Sequence, residues 1–252
     1  MPTWVETTSP NFTARFDEVD RRDVRAVLNL LEDMRDRLAD VFPVLPEGVS
    51  VVLHTSPLEL DLAQPYLPLV RRITTPAARR YLAGWAARGT VHVLAPRLLA
   101  ARAAKVEGSK EMLMLTPAAL YVQLAIGSCN PSLPPPYAPR STLRAARWAW
   151  LIAGCGQWFS GQTKLARRVI ARRLREEARP EFPPRLRDAA LLGGSLIDLI
   201  AREQGARAVA RLACSPPPPG GPREALLDAF DGRALVHTEG TWRAHLSRLA
   251  GQ

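Results

Sequence analysis

The chain has 252 residues, of which 47% are hydrophobic, and a formal net charge of +10. A sequence of this length and hydropathy can bury a substantial core, and no run reaches the ~18 apolar residues that predict a membrane span. The first residues show no basic segment followed by an apolar stretch, so no signal peptide is predicted, and the absence of zinc-finger or basic–aromatic patterns argues against nucleic-acid binding.

The charge is distributed unevenly along the chain. Residues 1–60 carry a net charge of −5, residues 61–180 carry +14, and residues 181–252 carry +1. This asymmetry indicates either an anionic partner or two lobes that attract each other. Nearly all the basic residues are arginines, which is also typical of a GC-rich genome. The 3 cysteines are widely spaced, which predicts no metal site and indicates a reducing, cytoplasmic environment.

Three strands are predicted in the first 95 residues. Polar and apolar residues alternate over residues 11–17, and β-branched residues dominate Val49–His54 and residues 90–95. We expect these strands to pair in one sheet. After Pro96 we expect only helix and loop, although residues 234–238 show some strand-like alternation.

Helical patterns connect and follow the strands. Apolar residues recur every three or four positions over residues 19–41, which predicts an amphipathic helix. Residues 63–88 contain three prolines and two arginine pairs, and we expect a loop there, then a helix over roughly residues 76–87. Later helices are predicted at about 97–105, 109–127, 186–204, 206–213, 222–230 and 241–249. Residues 130–139, NPSLPPPYAP, predict a stiff connection, and such prolines also suit an SH3-like groove.

The most distinctive stretch is residues 143–161, LRAARWAWLIAGCGQWFSG, which holds three of the 6 tryptophans. Its combination of Trp150, Gly154 and the ending QWFSG resembles the helix that carries the third zinc ligand in gluzincin-type metallopeptidases. That family has a glutamate directly before the glycine, where this chain has Ala153. The alternative is a buried helical hairpin in which the glycines serve close packing.

A second stretch, residues 115–127 (LTPAALYVQLAIG), resembles the family's zinc-binding helix. That helix carries two histidines four residues apart, with a glutamate after the first as general base. In this register the three positions hold Ala119, Leu120 and Gln123. Together with Ala153, none of them keeps a side chain suited to zinc binding or to general-base catalysis. The 4 histidines of the chain lie elsewhere and do not pair at helical spacing.

The resemblance implies one α+β domain over residues 1–252 with a gluzincin-like fold. A small mixed β-sheet with helices would form an N-terminal lobe over residues 1–108, and a mainly helical lobe would follow over residues 109–252. The protein would hold no metal or other cofactor, and it would act as a binding or structural module rather than as an enzyme. The candidate cleft-lining residues are Trp148, Trp150, Gln157 and Trp158. We expect Trp148 or Trp150 to fill the volume of the lost ligands, unless a small pocket remains.

An enzyme of another class is the alternative function. A hydrolase without a metal would use Cys155 or cleft carboxylates as its catalytic groups. Cys155 lies between two glycines, which would expose a thiol, but no histidine is near it in the sequence. The structural alternative is a small residue chosen for packing.

A cationic amphipathic helix is predicted over residues 162–179. One side of it carries Lys164, Arg168, Arg172 and Arg175. This side is either a solvated helix face or a docking surface for an acidic protein partner. The sequence does not identify that partner.

Overall fold

A five-stranded sheet lies near the N-terminus in this computed structural model, which describes residues 3–135, 142–176 and 179–251. The strands stand in the order β1-β2-β3-β5-β4. The three central strands are parallel, and each edge strand is antiparallel to its neighbour, so the sheet is mixed. The strands are β1 (Trp4–Thr8), β2 (Phe12–Asp17), β3 (Val49–His54), β4 (Gly84–Ala87) and β5 (Thr90–Leu94).

The three strands predicted from the sequence are confirmed as β2, β3 and β5, and they pair in one sheet. Neither of the two edge strands, β1 and β4, is predicted from the sequence. The helix expected over residues 76–87 is wrong, because only the short helix Pro76–Arg79 forms there and β4 follows it. β4 turns back to β5 through Arg88 and Gly89, whose positive φ of 64° favours glycine.

Helices and loops make up the described residues after β5, which confirms the α+β class. Residues 235–238 belong to a helix, and Ala234 is the residue that precedes it, so no strand forms over residues 234–238. The helices are α1 (Arg21–Ala39), α2 (Pro57–Ala63), α3 (Tyr66–Ile73), α4 (Pro76–Arg79), α5 (Pro96–Arg102), α6 (Ser109–Met114), α7 (Thr116–Cys129), α8 (Thr142–Arg147), α9 (Ala149–Ser160), α10 (Gln162–Leu165), α11 (Arg167–Leu174), α12 (Leu186–Gln204), α13 (Ala206–Cys214), α14 (Pro222–Ala229) and α15 (Leu235–Ala250).

Periodicity explains the long helices well and the cationic segment less well. In α1 the buried residues are those at the predicted apolar positions, and α12 ends at Gly205, which has a φ of 82°. The single helix expected over residues 162–179 is instead two helices, α10 and α11, separated at Ala166. Residues 177–178 of that prediction, and residues 136–139 of the proline tract, lie outside the described residues.

Close packing of α7, α9 and α12 forms the centre of the helical part. A β-carbon added at Gly154 of α9 would lie 2.7 Å from the carbonyl oxygen of Gly193 of α12, so these two backbones touch. A buried ion pair also holds α12 to α11, where Arg173 Nε lies 2.6 Å from Asp188 Oδ1. Buried residues from the sheet and from the helices form one hydrophobic cluster. The lobe boundary at residue 108 stays a prediction.

A disulfide between Cys129 and Cys214 joins the end of α7 to the end of α13. Beside it, the side-chain amide of Asn130 donates hydrogen bonds to the carbonyl oxygens of Ala213 and Ser215, at 3.0 and 2.7 Å. Two of the three cysteines are therefore paired, which the sequence does not predict, and the reducing compartment stays a prediction. Among the described helices, none combines the length and hydropathy needed to cross a lipid bilayer.

Candidate functional site

A cavity of about 370 Å³ lies where α7, α9 and α12 meet α3 and the sheet edge β4. Its walls are mainly apolar, and they come from residues between Tyr66 and Ala190. Helix α3 supplies Leu69 and Ile73, and β4 supplies Gly84 and Trp85. Small side chains of α8, α9 and α12 complete the enclosure, namely Ala145, Ala146, Ala149, Ala153, Ala189 and Ala190.

The four positions singled out from the sequence all line this cavity: Ala119, Leu120 and Gln123 on α7, and Ala153 on α9. The two helices touch directly at this level. A β-carbon added at Gly156 would lie 2.7 Å from the carbonyl oxygen of Ala119 and 3.4 Å from Nε2 of Gln123. The structure therefore brings these positions together around one space.

The three tryptophans expected to line the cleft lie elsewhere. Trp150 is 1% exposed and belongs to the core, and Trp148 lines a separate cavity together with Leu151. Trp158 donates its indole hydrogen to Oδ1 of Asp198, at 3.1 Å. Neither Trp148 nor Trp150 therefore fills the volume beside Ala119 and Ala153, and the other expected outcome, a remaining pocket, is the one observed.

Gln157 is the one predicted cleft-lining residue that does line the cavity. Its amide nitrogen donates to the carbonyl oxygen of Ala189 at 2.8 Å, and its amide oxygen accepts from the backbone nitrogen of Gly194 at 2.7 Å. Both polar atoms are thus used to join α9 to α12. Gln157 acts as a wall residue that fixes the helix spacing.

The cavity offers little acid–base chemistry. None of its described lining residues is Asp, Glu, His or Cys, so no side chain there suits zinc binding, and of the usual acid–base groups the described wall carries only the phenols of Tyr66 and Tyr81. Within the described parts of the chain, no group of three or more such residues is placed to hold a metal ion. The lining carries one charged group, Arg72 of α3, whose residue is exposed.

Cys155 does not suit the role of nucleophile. Its residue is 0% exposed, and burial raises the pKa of the thiol well above its usual value. The thiolate is the reactive form, so this cysteine is inert, as a residue chosen for packing would be. The alternative hydrolase therefore lacks its thiol, and the described cavity wall supplies no carboxylate in its place.

A histidine–histidine pair and a histidine–aspartate pair, two small clusters among the described residues, lie outside the cavity. His54 and His92 face each other across β3 and β5, with Nε2 of His54 3.1 Å from Nδ1 of His92. Burial, and then the charge of His92, lower the pKa of His54 to about 4. His245 lies 2.9 Å from Oδ2 of Asp198 and is 2% exposed, so this second cluster is closed to any substrate.

The four residues of the predicted basic surface, Lys164, Arg168, Arg172 and Arg175, are all exposed. Arg168 lies 3.8 Å from Glu107, in an exposed pair that contributes little stability. Attraction between the oppositely charged parts of the chain also occurs, since Arg97 pairs with the buried Asp20 at 2.9 Å. Both explanations of the charge asymmetry thus have a structural counterpart.

Sequence reasoning missed the wall of the cavity formed by α3 and β4. The arginine pair at positions 71 and 72 hid the helical pattern of α3, and the alanines of β4 indicated helix. The usable signal was Arg88-Gly89, a turn between two short apolar runs. No protein-family model matches the chain, and a search of curated proteins gives no match either.

Proposed function

We propose that this protein is a catalytically inactive, peptidase-like binding module whose ligand occupies the cavity beside Ala119, Gln123 and Ala153. The carrying observation is that all four positions matched to the gluzincin metal site line one cavity whose described wall has no aspartate, glutamate, histidine or cysteine. This arrangement favours binding without chemistry. The relation to metallopeptidases remains part of the proposal.

The cavity has the size and character of a ligand site. Small-molecule pockets measure roughly 300 to 1,000 Å³, with mostly apolar walls and a few polar groups. Here the volume is about 370 Å³, and the polar groups of α7, α9 and α10 include Thr116, Gln157 and Gln162. Because the amides of Gln157 and Gln162 are already hydrogen-bonded to backbone groups, the ligand's main contacts are apolar.

A cytoplasmic location and an acidic protein partner also stay within this proposal. The first now requires that the Cys129–Cys214 pair is reduced in the cell. The second would use the exposed side of Lys164, Arg168, Arg172 and Arg175.

An uncharged dye that fluoresces in apolar surroundings, Nile red, tests the site. We expect the wild-type protein to bind it and Ala153→Phe to weaken binding at least tenfold, because the added ring occupies the cavity. Ala26→Phe, which adds the same ring at an exposed position of α1, is the matched control and should bind like the wild type.

Circular dichroism separates a filled cavity from a misfolded chain, and Ala146→Leu on α8 provides a second, milder filling variant. Equal dye binding by the wild type and both filled variants would contradict the proposal. So would the absence of binding by the folded wild type.

A further inference from the structure

Arg72 provides a positive charge at one place in the mainly apolar lining of the cavity. Arg72 is the one charged residue among the described residues of the lining, and it is exposed to solvent. It forms no hydrogen bond or ion pair with any residue that the structure describes. An unpaired guanidinium beside an apolar cavity, with no described carboxylate in the wall, favours a ligand that carries a negative charge at one end.

Exposed apolar side chains lie beside Arg72 on α3 and next to the lining residues of α8. Leu69, one turn before Arg72, is 62% exposed and Ile73 is 57% exposed, and both also line the cavity. On α8, Leu143 is 82% exposed and lies one turn before Ala146 of the lining. Exposed apolar groups at the entrance to an apolar space are typical of a binding site rather than of an inert surface.

The volume limits the length of the ligand. A water molecule occupies about 30 Å³ in the liquid, and a methylene group is of similar size, so a cavity of about 370 Å³ holds roughly ten carbons. The walls on α8, α9 and α12 are mostly alanine and offer few polar groups, which suits an alkyl chain.

We propose that the cavity binds a single-chain amphiphile with an anionic head, of the fatty-acid type. This inference rests on the proposed function and adds the class of ligand. The alkyl chain lies in the cavity, and the carboxylate lies at the entrance, where it accepts hydrogen bonds from the guanidinium of Arg72.

Calorimetric titration with octanoate and with 1-octanol separates the head group from the chain. We expect Arg72→Gln to weaken octanoate binding about fivefold, because the contact is exposed and charge-assisted, and to leave octanol binding unchanged. Arg88→Gln removes a positive charge from an exposed residue of the β4–β5 turn and serves as the matched control. It should change neither affinity.

Chain length provides an independent measurement. Each added methylene should strengthen binding about fourfold until the cavity is full, so affinity should rise from hexanoate to about decanoate and then level off. An affinity that keeps rising to hexadecanoate would show that the chain lies outside the cavity and would overturn the assignment.

The outcomes distinguish this inference from the proposed function. Equal binding of octanoate and octanol, unaffected by Arg72→Gln, overturns the anionic ligand; loss of octanol binding in Ala153→Phe would still support the binding module. Failure of octanol, octanoate and Nile red to bind overturns both. Binding of phosphatidylglycerol vesicles through Arg72, without binding of octanoate, would assign the site to a lipid surface instead and overturn the inference.

Discussion

His54 and His92 form a stacked pair of titratable side chains within the sheet. Their facing nitrogens are 3.1 Å apart, which leaves room for one shared hydrogen and disfavours a charge on either ring. The pKa of His54 is about 4 in the folded chain, against the usual 6.5 of an unfolded one, and burial also lowers that of His92. As the pH falls, these histidines are therefore protonated in the unfolded chain at a higher pH than in the folded chain.

We expect stability to depend on pH through this pair. The contribution of His54 is complete above pH 6.5 and is lost as the pH falls toward 4, because only the unfolded chain binds the proton in that range. From pH 7.5 to pH 5 the free energy of unfolding, measured by urea denaturation, should fall by about 1 kcal/mol more in the wild type than in His54→Gln. This figure allows for solvent screening. His237→Gln, at an exposed histidine, should lose as much as the wild type; an equal loss in His54→Gln would contradict the assignment.

At the scale of elements, the crossing of α9 over α12 depends on glycine. A β-carbon at Gly154 would meet the carbonyl oxygen of Gly193 at 2.7 Å and Cγ1 of Ile197 at 2.8 Å. The contact with the Gly193 backbone cannot be relieved without moving a helix. This observation favours the close-packing role of the glycine, one of the two roles open from the sequence.

Gly154→Ala should therefore lower the free energy of unfolding by about 1 to 2 kcal/mol, the cost of overpacking less the gain in helix propensity. The control is Gly240→Ala in α15, where a β-carbon meets no atom within 4 Å. That change should raise stability by up to about 1 kcal/mol, since alanine favours helix. Chemical denaturation of the two variants measures both, and two changes of the same sign would contradict the packing argument.

Sequence reasoning succeeds for elements with a strong period and fails for short edge elements. The apolar positions of α1 predict its buried face correctly, and the β-branched residues of β3 predict correctly that it is a strand. β4 is Gly-Trp-Ala-Ala, a composition that shows no alternation, and it is a strand because it pairs with β5. The pairing of β4 with β5 depends on the tertiary structure, so the local strand propensity of residues 84–87 does not predict it.

At the scale of the whole molecule, the Cys129–Cys214 disulfide links parts of the helical region that are 85 residues apart. It restricts the unfolded chain more than the folded one. Neither its existence nor its pairing follows from three scattered cysteines, because sequence spacing carries no information on which residues of α7 and α13 meet.

Reduction should lower the free energy of unfolding by about 4 kcal/mol, as expected for a loop of this length. Urea denaturation with and without dithiothreitol measures the difference. A Cys129→Ala, Cys214→Ala double variant should match the reduced wild type and should be unaffected by the reductant. A wild type that is equally stable under both conditions would contradict a stabilising disulfide.

The candidate site shows the same division between local and global information. The sequence resemblance selected Ala119, Leu120, Gln123 and Ala153, which lie on two neighbouring helices, and the structure places them on one cavity. Arg72 and Trp85 could not be selected in this way, because they reach the cavity only through the tertiary arrangement of α3 and the sheet edge.

Because the walls of the cavity extend from Tyr66 to Ala190, the cavity exists only while the sheet edge and the central helices are folded together. Any ligand that enters it binds the folded chain and not the unfolded one. Once the free ligand exceeds its dissociation constant, each further tenfold increase in its concentration adds about 1.4 kcal/mol to the free energy of unfolding. Since cells degrade unfolded chains, the steady-state amount of this protein would follow the supply of its ligand.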